Sequence, residues 1–412
     1  NRIATGSLDG STRLWSLEQE GGEKILDLPG HIGAIWDIAF SPDGQSMLTA
    51  SVDETIRIWD VSTFNNAGFF VLSGSDDRLN KVALESNGRY LATAGHDGIV
   101  KLWTMPEGRE LFTLSAHNGP VWDITFSPDG QSLASAGADN IARVWDIRAS
   151  LASSNNSARL ELSGHDDQSS SLGNQPGIRQ VAFSPDGETL LTAGADGIIK
   201  LWNINTGQET GVFKFEPTRY GVRGVTSAAF SPNGEQLAAL TEGPEAMVRV
   251  WEVETGEKLF EASRHVEMDA SFDLEYSPDG KHLAISGLNI TITIYDVLSR
   301  QVVSTITGYK SAVMGIAYSH DGFFLATSHA EGTVKVWNLT TGQELLTLPG
   351  NSNPVSSVVF SPDGEYLITS GFDGTARVFV LDLNELIRMA HSRVTRELTE
   401  QECLQYLHTE TC

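Results

Sequence analysis

The sequence predicts an all-β fold, a propeller of four-stranded antiparallel blades that ends in a short helical tail. Three observations carry the prediction. One turn recurs along the chain, a strand-ending aromatic recurs at similar intervals, and long helical periodicity is missing until after residue 380. The turn Ser-Pro-Asp-Gly stands at Ser41–Gly44, Ser127–Gly130, Ser184–Gly187, Ser277–Gly280 and Ser361–Gly364, with variants at Glu85–Gly88, Ser231–Gly234 and Ser319–Gly322. An apolar-alternating stretch precedes each turn and another follows it, as period-two antiparallel strands require. A tight turn comes next, such as Asp97-Gly98, Asp196-Gly197 or Asp373-Gly374, suited to a type I′ hairpin. The third strand then ends in Trp15, Trp59, Trp103, Trp145, Trp202, Trp251, Tyr295, Trp337 or Phe379. A further turn leads to a fourth strand such as Glu-Leu-Leu-Thr-Leu.

Four strands in a unit of about 42–57 residues match the propeller repeat. Such a sheet has two apolar faces and buries them only by stacking on its neighbours. The units ending at Trp59 through Phe379 favour eight blades, with Lys24–Leu28 as the strand that closes the ring. Seven blades are the alternative, the earlier units then belonging to a second propeller. The division expected is a remnant hairpin of a preceding blade over 1–20, the propeller over 21–380 and a helical tail over 381–412.

At this point the sequence resembles the WD-repeat family over roughly residues 1–380. Gly-His occurs at Gly30-His31 and Gly164-His165, and Trp-Asp at Trp59-Asp60 and Trp145-Asp146. The resemblance implies a hydrogen-bonded tetrad of His, Ser or Thr, Asp and Trp in a blade. Three sets match it: His31, Thr49, Asp53 and Trp59; His117, Ser135, Asp139 and Trp145; and His165, Thr192, Asp196 and Trp202. Elsewhere Ser75, Tyr309 and Asn351 stand where the His would be.

Composition narrows the function. With 53 acidic against 28 basic residues the net charge is −25, which repels phosphate backbones and disfavours nucleic-acid binding by the propeller. The two cysteines, Cys403 and Cys412, build neither a disulfide framework nor a zinc site, so a reducing, cytoplasmic setting is expected. No apolar run is long enough for a membrane span. The chain opens at Asn1 inside a strand, and upstream domains of a longer chain are expected.

Catalysis is not expected. The three His–Ser/Thr–Asp sets resemble triads, but a catalytic group is needed once and these recur in separate blades. The pairs Asp76-Asp77 and Asp166-Asp167 lack the spacing of a calcium loop, and the glycine-rich turns open no helix. No cofactor or metal is implied.

The resemblance also implies two positions that line the top face around the channel mouth. The first carries Trp36, Asn80, Trp122, Arg179, Thr226, Phe272, Met314 and Ser356. The second includes His96 and Phe372. Trp36 and Trp122 are the only two of nine tryptophans that do not end a third strand. Aromatics, Met and Arg are enriched at interface hot spots, so Trp36, Trp122, Arg179, Phe272, Met314, His96 and Phe372 are the candidate partner-binding residues. Side chains that simply plug the channel are the plainer account. Three connections exceed what the repeat needs: Ser150–Ser157, Asp166–Gly177 and Glu242–Ala246.

From Leu381 the period becomes helical, with Leu383, Leu386, Ile387, Ala390 and Val394 on one face. Residues 386–408 resemble the C-terminus of bacterial multidomain signalling proteins that carry a propeller behind a regulatory region. A helix-turn-helix using Arg388, Arg393 and Arg396 is the alternative reading of the tail. The expected role is a protein- or peptide-binding scaffold or sensor. A propeller enzyme or small-molecule sensor at the channel mouth is the runner-up, and buried, pKa-shifted acids in the channel would favour it.

Overall fold

Each residue of the recurrent turn has a use. At Ser127–Gly130 the Ser127 hydroxyl donates to Asp129 Oδ1 (2.6 Å) and accepts the Ser132 amide (2.9 Å). Asp129 Oδ1 also accepts the Gln131 amide at 3.0 Å. Gly130 donates to the Ser127 carbonyl with φ at +67°, a left-handed conformation that a side chain resists. The same Ser-to-Asp bond recurs at Ser184, Ser277, Ser319 and Ser361, and runs to Asn233 from Ser231.

A computed structural model describes residues 2–6, 12–16, 23–28, 35–40, 46–51, 56–60, 69–75, 77–105, 108–153, 157–165, 177–215, 224–241, 246–263, 271–287, 291–307, 310–348 and 353–381, those before 69 largely as backbone. Seven four-stranded antiparallel sheets make up a ring. Their inner strands, defining blades 1 to 7, are Leu79–Leu84, Val121–Phe126, Ile178–Phe183, Val225–Phe230, Ser271–Tyr276, Val313–Tyr318 and Val355–Phe360. In blade 2 the order outward is Val121–Phe126, Ser132–Gly137, Ile141–Asp146 and Leu160–Ser163. Neighbouring inner strands pack side by side around the ring, and that of blade 7 packs against that of blade 1.

Seven blades correct the expectation of eight, and the closing strand is also different. Blade 7 takes its outer strand from Phe69–Ser73, which pairs with Thr375–Val380 so that Phe69 faces Phe379 and Ser73 faces Thr375. Glu23–Leu28, expected in that role, instead pairs with Thr12–Ser16 in a three-stranded sheet begun by Arg2–Gly6. Strands Ile35–Phe40, Ser46–Ser51 and Ile56–Asp60 form another three-stranded sheet. A ring closes when the outer strand lying just before blade 1 in sequence pairs with the last blade, which removes both open edges. That strand follows Trp59, and the described strands before it lie outside the ring.

Burial sits between blades. One cluster joins Ala92, Val100, Leu102 and Leu114 of blade 1 to Val121, Ile124, Leu133 and Trp145 of blade 2. Equivalent clusters link the following pairs. The one helix among the described residues, Ile147–Ser153, begins the Ser150–Ser157 connection. Asp146 starts it by accepting the Ala149 amide at 2.8 Å. The helical tail from residue 382 lies outside the described residues.

Candidate functional site

In blade 2, Trp145 Nε1 donates to Ser135 Oγ (3.2 Å), which lies 2.7 Å from His117 Nε2. His117 Nδ1 is 2.8 Å from Asp139 Oδ1, and the carboxylate, an acceptor only, fixes the proton on Nδ1. Arg143 Nη1 reaches Asp139 Oδ2 at 2.8 Å. Burial alone would raise the Asp139 pKa, but the bonds from His117 and Arg143 hold it far below the usual carboxylate range. Blade 3 repeats the chain: Trp202 to Thr192 (2.8 Å), Thr192 to His165 (2.8 Å) and His165 to Asp196 (3.0 Å). Gly137 and Gly194 are glycine because a Cβ there would run into the His117 and His165 rings. The side chains of His31, Thr49, Asp53 and Trp59 lie outside the described residues.

Blade 6 reaches the same end from another position. Trp337 Nε1 donates to Thr327 Oγ1 (3.2 Å), and His329 Nε2 lies 2.8 Å from that oxygen. His329 stands where Gly137 and Gly194 stand in their blades, and it is fully buried. Sequence reading missed it because it searched for the imidazole only in the loop, where this blade has Tyr309. Also missed was a cation two residues before the strand-ending aromatic, over its ring and paired with an outer-strand Glu. Lys200 Nζ lies 5.6 Å from the Trp202 ring and 2.6 Å from Glu209, and Lys335 repeats this with Trp337 and Glu344.

The channel is lined by polar groups that sequence reading did not name. Asp123 Oδ2 accepts the Val181 amide (2.9 Å), Asp273 Oδ2 the Ile316 amide (3.2 Å), and Glu275 Oε2 the Tyr318 amide (2.9 Å). Each bond runs from one inner strand to the next. The inner strand is a sheet edge, and these carboxylates satisfy amides that no strand can reach. Lys81 Nζ lies 3.8 Å from Asp123 Oδ1 and leaves 28% of its side chain open to the channel. Burial lowers its pKa, but Asp273, Asp123 and Glu275 outweigh that and raise it. Burial lifts Asp123 to about 6 against the pull of Lys81, and lifts Glu275 to about 8 with help from Asp273.

At the end of the ring where the inner strands begin, three of the candidate residues come together across blades 7, 1 and 2. The His96 and Trp122 rings meet edge-on with centroids 5.6 Å apart. Arg78 joins them to Phe372: its Cζ lies 4.9 Å from the Phe372 centroid and its Nη2 is 3.3 Å from His96 Nε2. Trp122, His96 and Phe372 are half-buried, as a rim requires. Arg179 lies on the inner strand of blade 3 and Met314 on that of blade 6, the two blades that flank this group. Trp36 belongs to a strand of a three-stranded sheet outside the seven four-stranded blades. The side chains of Trp36 and Phe272 and most of the two connections 166–177 and 242–246 lie outside the described residues.

The model of the family described as WD domain, G-beta repeat matches residues 22–60, 69–104, 108–146, 157–203, 300–338 and 342–379, more than half of the chain. This chain belongs to the WD-repeat family. Similar proteins include bovine transducin beta-like protein 3 (Bos taurus), 28% identical over 134 residues, which are 32% of this chain and 16% of that protein. THO complex subunit 3 of Arabidopsis thaliana is 25% identical over 30% of this chain and 38% of its own length. Eukaryotic translation initiation factor 3 subunit I of Aspergillus fumigatus is 40% identical over 70 residues, 17% of this chain and 19% of that protein. The chain thus matches less than two-fifths of the length of each of these relatives. The matched WD repeats leave out residues 204–299, which hold most of blades 4 and 5. There the tetrad Ser or Thr is replaced by Ala239 and Ile285. Among the described residues no helix is long and apolar enough to cross a membrane.

Proposed function

We propose that the ring is a non-catalytic docking module that holds a protein or peptide segment on the rim formed by Trp122, His96, Arg78 and Phe372. The observation that carries this is the meeting of half-buried aromatics from three blades at one end of the channel. Rings of that kind are the anchors on which interface energy concentrates. The names of two relatives, a complex subunit and an initiation-factor subunit, agree with a role in assemblies. The finer setting we infer is a cytoplasmic, multidomain signalling protein of bacterial type with further domains upstream. Its support is the wording of residues 386–408 and the acidic, cysteine-poor composition. The relatives named above are eukaryotic and lend that setting nothing. The division into an N-terminal remnant, a propeller and a helical tail belongs to the same reading, with the ring itself beginning at residue 69.

The runner-up, a catalytic or small-molecule site in the channel, draws on Asp123, Asp273 and Glu275. Each already accepts an amide of the next inner strand, so stitching the strands together explains their presence. The test is a peptide-display library panned against the full chain. Trp122→Ala should leave the melting temperature unchanged and abolish recovery of the selected peptides, since an aromatic anchor carries about 2–4 kcal/mol. Phe323→Ala, at an exposed position at the other end of the strands, should retain them. Equal recovery by wild type and Trp122→Ala would remove this face from consideration.

A further inference from the structure

The rim has donors without acceptors. Arg78 Nε and His96 Nδ1 are both buried and have no hydrogen-bond partner among the described residues. Burial, and then the charge of Arg78, push the His96 pKa down, so the imidazole is neutral near pH 7. Its Nε2 therefore accepts from Arg78 Nη2, which leaves the proton on Nδ1 as a second unmatched donor.

Two neighbouring carboxylates among the described residues are engaged elsewhere. Asp97 accepts the Ser75 hydroxyl (2.7 Å) and the Ile99 amide (3.0 Å), closing its own turn. Asp77 accepts the Arg78 amide at 2.8 Å. Arg78 itself forms no ion pair with another described residue, in a chain that carries 53 acidic side chains. Its guanidinium is stacked on Phe372 and steadied by His96, so it is held in place with no carboxylate partner among the described residues. A further cation, Arg179, stands on the inner strand of blade 3. Aromatic surface flanked by fixed positive charge is complementary to an apolar segment that carries an acid. A planar guanidinium also matches the two oxygens of a carboxylate.

Resting on the docking face proposed above, we propose that its partner is an acidic peptide segment: an Asp or Glu side chain sits on Arg78, and an adjoining apolar residue packs on Trp122.

The test uses the same display library on the full chain with three baits: wild type, Arg78→Glu and Arg78→Gln. Thermal melts of each establish that the ring is folded. The wild-type pool should be enriched in Asp and Glu beside an apolar residue, and its binding should weaken as salt rises. Arg78→Gln should lose that pool about tenfold or more, the effect of removing a charge-assisted bond. The Arg78→Glu pool should shift to Lys and Arg. Wild-type peptides without acidic enrichment, or an enrichment unchanged by Arg78→Glu, would overturn the acidic specificity while leaving the face intact as a docking site. Failure to select any peptide on wild type overturns both. Displacement of the selected peptides by a short single-stranded RNA would assign the cations to a nucleic acid and likewise reject the proposal.

Discussion

At the scale of single residues, one second-strand position decides how a strand-ending Trp is held. Where the second strand offers Ser135, Thr192, Thr327 or Thr93, the indole N–H has an acceptor. In blades 2 and 3 a His and an Asp extend the bond into a network. Asp139→Ala and Asp196→Ala should each destabilise the fold by about 1–3 kcal/mol, measured by chemical denaturation. The Asp139 pKa is depressed on folding, so its contribution is complete above the unfolded value of about 3.9 and is lost as pH falls below it. The gap between wild type and Asp139→Ala should therefore narrow below about pH 4, and a pH-independent gap would contradict the ion-paired assignment. Glu275 has the opposite sign. Its folded pKa is about 8. Between an unfolded value of about 4.3 and that point the folded chain keeps a proton that the unfolded chain loses, so stability falls as pH rises. Glu275→Gln can still accept the Tyr318 amide. It should melt above wild type at pH 8, and equal melting temperatures there would show that Glu275 is not protonated in the ring.

At the scale of strands, closure is the decisive event. Among the described residues Phe69–Ser73 is the one strand that blade 7 takes from elsewhere in the sequence, and Leu72 in it is 5% exposed. Leu72→Ala should cost about 2–5 kcal/mol. A chain starting at residue 69 should keep the cooperative melt of the ring, whereas one starting at residue 75 should lose it. If the chain starting at 75 melted like the longer one, blade 7 would not depend on that strand. The strands themselves were legible because the turn chemistry repeats, down to the Ser-to-Asp bond and the left-handed glycine. The blade count was less so. Eight sets of inner strands are present in the sequence, and no local signal distinguishes Lys24–Leu28 from Phe69–Ser73 as the closing strand, since both are short alternating outer strands. Only pairing between residues about 300 apart separates them. Part of the rim was legible from the same alignment, which placed Trp122, His96 and Phe372. Arg78 was not, because it lies before the first apolar residue of its strand. The channel acids escaped for a related reason. A bulge between Val121 and Asp123 shifts the register and turns Asp123 inward.

At the scale of the whole molecule, the ring is a circle of nearest-neighbour interfaces, so it opens first where a blade is least well tied to its neighbours. Blades 2 and 3 have the complete networks. Blades 4 and 5 have Ala239 and Ile285 at the acceptor position, and blade 5 ends its third strand with Tyr295 in place of Trp. A cleft of about 570 Å³ opens at the surface between these two blades, beside their shared core, lined by Leu259, Phe260, Tyr295 and Val297 among others. The Phe260 and Tyr295 rings meet at 5.7 Å on its wall. Arg300, at its edge, adopts φ +63° in the turn where Gly207, Gly256 and Gly342 serve other blades. A solvent-filled cleft beside the interface and missing side-chain bonds both lower the cost of local opening, because fewer contacts have to be broken. Amide hydrogen exchange should therefore be faster in Gln236–Thr241 and His282–Gly287 than in Ser132–Gly137 and Thr189–Gly194, although all four are second strands of their blades. Tyr295→Trp, which adds apolar volume at the cleft, should slow exchange in His282–Gly287 and leave Ser132–Gly137 unchanged. Equal protection across all four strands would mean that closure makes the ring a single cooperative unit in which the tetrads add nothing local.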